Sequence, residues 1–211
     1  MKAVTDLVGL GADIKQADGD GFTAMDRAEK SNNVEIIKTL LCLVEKSGDT
    51  TMTRLRTAAE TNKPAVIRAI AEMGTDLNVP LHNDENLPIH IAAEYGSVDA
   101  VQALAEKGAD VNSKDVHGQT PIRVAAYMGD LNVMKVLVEC RADINLVDKR
   151  KISPLLHTVR TGNTAVSAMF VNMGADLKQC LRHERFAYEG AADVARSMQE
   201  MVSDFCDRVG L

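Results

Sequence analysis

Two aspartates separated by glycine, in the segment Asp18-Gly19-Asp20-Gly21, have the composition of part of a calcium-binding loop. If Asp18 and Asp20 held its third and fifth positions, the first position would be Gln16 and the twelfth Arg27. A calcium loop needs an acidic first residue and a bidentate glutamate at its end. We therefore interpret the segment as a turn and predict no metal site there.

The histidine and cysteine residues form no recognisable catalytic or zinc-binding pattern. The five histidines contain no pair four residues apart, and the four cysteines contain no Cys-x-x-Cys pair. Zinc sites usually show such spacing, and a nucleophile needs an acid–base partner nearby. We therefore predict no metal, no cofactor and no enzymatic activity. Spacing alone leaves open a site that is assembled only in the folded chain.

The four cysteines also bear on the cellular compartment. They are Cys42, Cys140, Cys180 and Cys206, far apart in the chain. This spacing predicts free, mostly buried thiols in a reducing compartment, the cytoplasm, with the nucleus or another organelle left open. The first residues lack a basic-then-apolar secretion signal, and no apolar run is long enough to span a bilayer, so no membrane insertion is expected.

The charge is acidic overall but unevenly distributed. The net charge is −6, so a nucleic-acid backbone would meet net repulsion and is not an expected partner. Residues 141–188, however, carry eight Lys and Arg against four Asp and Glu. This zone could meet an acidic partner surface, or it could be an ordinary solvated face.

A short triplet recurs along the chain and indicates the elements that position these residues. Its copies are Gly11-Ala12-Asp13, Gly74-Thr75-Asp76, Gly108-Ala109-Asp110, Arg141-Ala142-Asp143 and Gly174-Ala175-Asp176. The last four are 34, 33 and 33 residues apart. A fixed period of this length predicts a solenoid of stacked repeats.

The unit at residues 115–147 shows the local chemistry of one repeat. Gly118 suits a tight turn, Thr120 can cap a helix, and Pro121 sits where a helix tolerates a missing amide. A first helix should end at Gly129. A second should run from about Leu131 to Glu139 and bury Val133, Val136 and Leu137. Both helices are too short to be stable alone, so neighbouring units must cover them.

These motifs resemble the ankyrin repeat. The matching segments are Pro88-Ile89-His90-Ile91-Ala92-Ala93, Thr120-Pro121-Ile122-Arg123-Val124-Ala125-Ala126, Ser153-Pro154-Leu155-Leu156 and Asp110-Val111-Asn112. The resemblance implies an all-α, ankyrin-type helical repeat solenoid with short β-hairpin or turn connections. We predict a leading half-repeat and a degenerate first repeat in 1–46, an irregular connection and second repeat in 47–79, three full repeats in 80–178, and a helical cap in 179–211.

The chain departs from the family pattern in informative ways. No unit keeps both the Thr and the His of the family's Thr-Pro-Leu-His-x-Ala-Ala signature, since Leu87 accompanies His90 and Thr120 accompanies Arg123. The Thr–His hydrogen-bond arrangement that the resemblance implies at each helix start is therefore broken, which predicts modest stability. Residues 3–10 look like a second helix without its first, which indicates either an incomplete array or a flank that docks on a partner.

The resemblance also implies a function, the binding of a protein partner through the concave face and the turn tips. The partner-binding positions carried onto this chain are Asn86, Glu94, Tyr95, His117, Gln119, Arg123, Tyr127, Met128, Lys149, Arg150 and Arg160. Tyr95 and Tyr127 should lie about one repeat apart in an exposed row. We expect an adaptor or scaffold, with a stably bound subunit of a larger assembly as the alternative and an enzyme or enzyme regulator as a third possibility.

A modification is a further expectation from the resemblance. Leu104 and Leu137 each precede an Asp-Val/Ile-Asn sequence at the spacing found in ankyrin-type substrates of asparagine hydroxylation. Asn112 and Asn145 are therefore candidate hydroxylation sites.

Overall fold

The computed structural model describes residues 13–44, 51–81, 86–176 and Glu200. These residues form ten helices and contain no β strand, so the connections described are turns. The helices are α1 (Ala24–Lys30), α2 (Val34–Val44), α3 (Thr51–Glu60), α4 (Pro64–Glu72), α5 (Pro88–Glu94), α6 (Val98–Glu106), α7 (Pro121–Met128), α8 (Leu131–Glu139), α9 (Pro154–Arg160) and α10 (Thr164–Asn172). The predicted all-α repeat fold is confirmed. Within the described ranges, no helix has the length and apolar character needed to cross a membrane.

The helices pack in consecutive pairs within two compact units, Met1–Asp110 and Val111–Leu211, here called unit 1 and unit 2. In unit 1 the second helices α2, α4 and α6 pack against one another in order, and the first helices α3 and α5 also pack together. In unit 2 α7 packs against α9, and each of them packs on its own second helix, α8 or α10. Neighbouring pairs therefore supply the burial that a helix of two or three turns cannot provide alone.

Small residues on the first helices allow this close packing. The alanine pairs that face neighbouring helices are almost completely buried, namely Ala58-Ala59, Ala92-Ala93 and Ala125-Ala126. Larger residues of the second helices fill the remaining space, among them Ile70, Leu104 and Leu137, which are all fully buried. The core therefore consists of thin aliphatic layers, and the low aromatic content of the chain suits it.

The boundaries of α8 match the prediction, but its buried face differs slightly. Val133 and Leu137 are fully buried as expected. Val136 is only half-buried, so its predicted core position is wrong, and Met134 is fully buried instead. Val136 lies three residues after Val133 and Met134 three residues before Leu137, so the two positions flank opposite edges of the same face, and packing decides which edge is buried.

The last four copies of the recurring triplet begin just after α4, α6, α8 and α10, and the first residue of each has a left-handed backbone. Gly74, Gly108 and Gly174 have φ of 87°, 95° and 86°, and Arg141 takes the same position with φ of 69°. A side chain disfavours this conformation, which explains why glycine recurs in the triplet. Arg141 departs from glycine in sequence while keeping the backbone geometry.

Several sequence predictions fall partly or wholly outside the described residues. The leading half-helix at 3–10 does so, as does the C-terminal cap at 179–211 apart from Glu200. Helix α3 begins at Thr51, inside the segment predicted as an irregular connection. The expectation of mostly buried thiols is wrong for Cys42, which is exposed, while Cys140 is half-buried and Cys180 and Cys206 lie outside the described part. The predicted domain boundaries stay predictions.

Candidate functional site

A groove in unit 2 collects most of the predicted binding residues of that unit. It has a volume of about 590 Å³ and lies between two turn tips and the helices α7 and α9. We call this cavity the unit-2 groove. It is lined by Val116, His117, Gln119, Arg123, Asp148, Lys149, Arg150, Ile152, His157, Arg160 and Thr161. Six of these were predicted as partner-binding residues, namely His117, Gln119, Arg123, Lys149, Arg150 and Arg160. A volume of this size is typical of clefts that hold small ligands or peptide side chains.

Each turn tip is closed by an aspartate that accepts hydrogen bonds from the backbone of its own turn. Asp115 Oδ1 accepts from the amides of His117 and Gln119, at 2.9 and 2.7 Å. Asp148 Oδ1 accepts in the same way from the amides of Arg150 and Ile152, both at 2.8 Å. These bonds satisfy turn amides and hold the tip rigid, so the side chains of the tip project from a fixed backbone.

The two tips are also joined to each other. Lys149 Nζ donates a hydrogen bond to the carbonyl of Val116, and Lys114 Nζ donates to the carbonyl of Val147 at 2.9 Å. Gly118 has φ of 77°, and a Cβ there would lie 2.7 Å from Lys149 Cγ. The absence of a side chain at position 118 therefore lets the second tip pack directly on the first.

Arg123 is not the exposed contact residue that the sequence analysis predicted. Its Nη1 donates to Asp148 Oδ2, and the side chains of the pair are only 10% and 5% exposed. It stands at the position of the signature histidine, and Thr120 Oγ1, also buried, finds no hydrogen-bond partner among the described residues. The Arg123 guanidinium thus points away from the start of its own helix and binds Asp148 in the turn of the next repeat. Arg123 supports the floor of the groove instead of forming its rim.

The charges around the groove shift two pKa values. Burial alone would raise the pKa of Asp148, but the hydrogen bonds from the Ile152 amide, Arg123 and the Arg150 amide outweigh it, so the pKa lies below its ordinary value. The pKa of His157 is lowered, first by burial and then by the nearby charges of Arg123 and Arg160, while Asp148 opposes the shift. Asp148 is therefore held as a carboxylate and His157 as a neutral ring at neutral pH.

Sequence reasoning missed Asp148 and His157 as site residues. An aspartate recurs at the same position of three turns, as Asp18, Asp115 and Asp148. This recurrence could have predicted the role of Asp148 in its turn. Nothing in the local sequence paired Asp148 with Arg123, because the pair joins neighbouring repeats. His157 lies one place beyond the signature histidine, so the family pattern assigned it no role.

Two further predicted residues of unit 2 lie beside the groove. Tyr127 is 70% exposed and its ring centroid is 6.0 Å from that of His157, a wall residue of the groove. Met128 is 52% exposed. Large apolar side chains with this exposure have no structural role in the core, and such residues are enriched at protein contacts.

The remaining predicted contact residues belong to unit 1. Glu94 and Tyr95 are exposed at the end of α5, and the Tyr95 side chain is 56% exposed. Asn86 is half-buried, and its carbonyl accepts a hydrogen bond from the Leu81 amide at 3.0 Å. The row formed by Tyr95 and Tyr127 stays a prediction, since each tyrosine is described within its own unit.

The candidate hydroxylation sites belong to a ladder of side-chain hydrogen bonds between repeats. Asn112 Oδ1 accepts from the Asp143 amide at 2.7 Å, and Asn145 Oδ1 accepts from the Asp176 amide at 2.8 Å. In unit 1, Asn78 Oδ1 accepts from the Asp110 amide at 2.7 Å. Each asparagine thus holds the start of the next turn, which gives these positions a structural role.

Comparison with known proteins agrees with this geometry. Residues 55–148 match the family of ankyrin repeats (3 copies). The chain is 36% identical over 97 residues to the BTB/POZ domain and ankyrin repeat-containing protein COCH of Pisum sativum, which covers 46% of this chain and 20% of that protein. It is 29% identical over 127 residues to alpha-latrotoxin-Lh1a of Latrodectus hasselti, covering 57% of this chain and 9% of the toxin.

A third relative is named as an enzyme. The chain is 27% identical over 126 residues to the putative palmitoyltransferase ZDHHC13 of Danio rerio, covering 57% of this chain and 19% of that protein. In each of these relatives the chain spans a fifth of the length or less. The shared part is a helical repeat array, and ankyrin repeats are in general protein–protein interaction modules. Residues 55–148 thus match the ankyrin repeats (3 copies), and the packed helix pairs of the described residues agree with that repeat type.

Proposed function

We propose that this protein binds a protein partner through the unit-2 groove and the exposed side chains beside it, as a non-catalytic adaptor or scaffold. The observation that carries the proposal is the position of Tyr127 and Met128. Both are largely exposed, and Tyr127 lies against the groove wall at His157. Aromatic and methionine side chains next to arginines have the composition of an interface hot spot.

The rigidity of the groove also supports binding. The two tips are held by the aspartate turns, by the lysine bonds between them and by the Arg123–Asp148 pair. A preformed surface loses little conformational freedom when a partner docks, and that improves affinity for a given contact area. An open groove of this kind is poorly suited to catalysis, which needs convergent reactive groups shielded from water.

The test is a pull-down from native extract with three baits. The wild-type chain is compared with a Tyr127→Ala/Met128→Ala variant and with Phe22→Ala, which removes an exposed aromatic residue of unit 1 outside the predicted surface. Arg123 is left intact because its loss would disturb the fold. We expect a partner that wild type and Phe22→Ala retain and the groove-side variant loses, with all three baits folded by circular dichroism.

Other results would point elsewhere. Equal recovery of the same proteins by all three baits would show that the contact does not use Tyr127 and Met128, and recovery of none would remove the main support for the proposal. The alternative, a stably held subunit of a larger assembly, predicts that the isolated chain self-associates. Light scattering of a monomer at working concentration would contradict that alternative.

We also propose Asn112 and Asn145 as hydroxylation sites and the cytoplasm as the place of action. Both asparagine side chains are half-buried and engaged with the next turn, so a modifying enzyme would act on a locally opened repeat. Intact mass of the protein isolated from its source should show one or two added oxygens. An unmodified mass would remove this proposal.

A further inference from the structure

We propose that the unit-2 groove selects an acidic peptide segment of its partner, and that Arg150 and Arg160 hold the carboxylates of that segment. This inference rests on the proposed function and adds the chemistry of the partner. It is a property of this chain's own groove residues, since the ankyrin fold by itself prescribes no charge for the surface that it presents.

The first support is the charge of the groove. Among the described residues, four basic side chains line it, Arg123, Lys149, Arg150 and Arg160, against one carboxylate, that of Asp148. That carboxylate already accepts hydrogen bonds from Arg123 and from two turn amides. The groove is therefore a positive region on a chain whose net charge is −6. A concave site lined by one sign of charge attracts ligands of the opposite sign.

The second support is how the cations are held. Asp148 fixes the turn that carries Arg150 by accepting from the amides of residues 150 and 152, so the exposed Arg150 side chain projects from a rigid tip. Arg160 is exposed in the last turn of α9 and also lines the groove. A guanidinium binds a carboxylate through two parallel hydrogen bonds, so one arginine on a turn tip and one on a helix suit a chain with repeated acidic side chains.

The third support is the neutral and apolar part of the same surface. His157 also lines the groove, and the ring of the exposed Tyr127 lies 6.0 Å from its ring, centroid to centroid. Side chains of a peptide that lie between its acidic residues can pack on this pair. A nucleic acid is the less suitable polyanion, because its regular backbone charge would meet the acidic remainder of the protein.

The experiment measures binding of a fluorescein-labelled oligoglutamate peptide by fluorescence anisotropy, with the oligoglutamine peptide of equal length as the neutral control. The protein is the full chain, as wild type, as Arg150→Gln/Arg160→Gln, and as Lys15→Gln/Lys135→Gln. The last variant removes the same total charge from exposed lysines outside the groove. Circular dichroism and urea unfolding establish that all three proteins are folded.

We expect wild type to bind oligoglutamate in preference to oligoglutamine. The groove variant should bind about tenfold more weakly, which corresponds to two exposed ion pairs, and the lysine variant should stay within about twofold of wild type. An equal loss in both variants would overturn the proposal in favour of a general charge effect. Failure of wild type to prefer oligoglutamate would overturn the proposal as well. So would displacement of the peptide by oligothymidylate, a single-stranded nucleic acid added as competitor, if it bound more tightly.

The two proposals can fail separately. If extract proteins bind through Tyr127 and Met128 while oligoglutamate does not bind, the acidic-peptide inference is wrong and the binding function stands. If no extract protein is retained but oligoglutamate binds at Arg150 and Arg160, the selectivity stands and the assignment of the surface beside the groove fails.

Discussion

Arg123 and Asp148 form a nearly buried ion pair that joins the start of α7 to the turn before α9. The contact replaces the Thr–His arrangement that the family uses inside one repeat with a bond between two repeats. The Asp148 carboxylate also accepts hydrogen bonds from the amides of its own turn. The same side chain therefore holds both Arg123 of α7 and the turn that forms part of the groove.

We expect that Arg123→Met lowers the free energy of unfolding by about 2–4 kcal/mol, because it leaves the Asp148 carboxylate buried without its cation. Urea denaturation of the full chain measures the change. Lys135→Met is the matched control, since it removes an exposed cation from the same unit and should cost less than about 0.5 kcal/mol. Equal stability of the two variants would show that the pair contributes little.

The same pair should make stability depend on acid pH. A carboxyl whose folded pKa lies below its unfolded value contributes stability that is fully present above the unfolded pKa, about 4, and lost as the pH falls through the folded pKa. Asp148 belongs to this class. Wild type should therefore lose unfolding free energy below about pH 4 more steeply than Asp148→Asn does. Parallel curves for the two proteins would contradict this prediction.

Gly118→Ala should destabilise the protein more than the same change at Gly21. Both glycines have left-handed backbone angles at the same turn position, with φ of 77° and 83°. A Cβ at position 118 would lie 2.7 Å from Lys149 Cγ and 2.9 Å from its amide nitrogen, whereas a Cβ at position 21 would meet nothing within 4 Å. We expect about 1 kcal/mol of strain at either site and about 1–2 kcal/mol more at Gly118. Equal losses in thermal or urea unfolding would remove the clash as an explanation of the glycine.

Asn112→Ala should cost about 1 kcal/mol of unfolding free energy, since the amide of Asp143 loses the acceptor that it contacts at 2.7 Å. Asn132→Ala, on the exposed side of α8, serves as the control and should be nearly neutral. Urea denaturation of both variants provides the comparison. A neutral effect at Asn112 would mean that water replaces the asparagine oxygen without loss.

His157 should titrate below the ordinary histidine pKa. Burial and the charges of Arg123 and Arg160 lower this pKa, and the charge of Asp148 acts against them. Arg160→Gln removes one of the two cations and should raise the pKa of His157 toward its usual range. The pH dependence of the imidazole signals in NMR spectra measures this shift. An unchanged titration in the variant would show that Arg160 does not act on the ring.

Much of the fold follows from local sequence. The boundaries of α8 and the left-handed glycines Gly74, Gly108 and Gly174 depend on local residue types, and the regular period reveals them. Spacing did not decide between Val136 and Met134, because they flank opposite edges of the face defined by Val133 and Leu137. The exposed Cys42 was missed because cysteine type predicts burial on average and not at a given position.

The sequence by itself determined that this chain is a helical repeat array and which residues lie at its turn tips, because both depend on residue type and spacing. Only the tertiary structure decided that Arg123 is a buried support for the groove, that Asp148 and His157 belong to the site, and that Arg150 and Arg160 line one cleft. Those facts depend on side chains from neighbouring repeats, whose packing distance and direction no single repeat encodes.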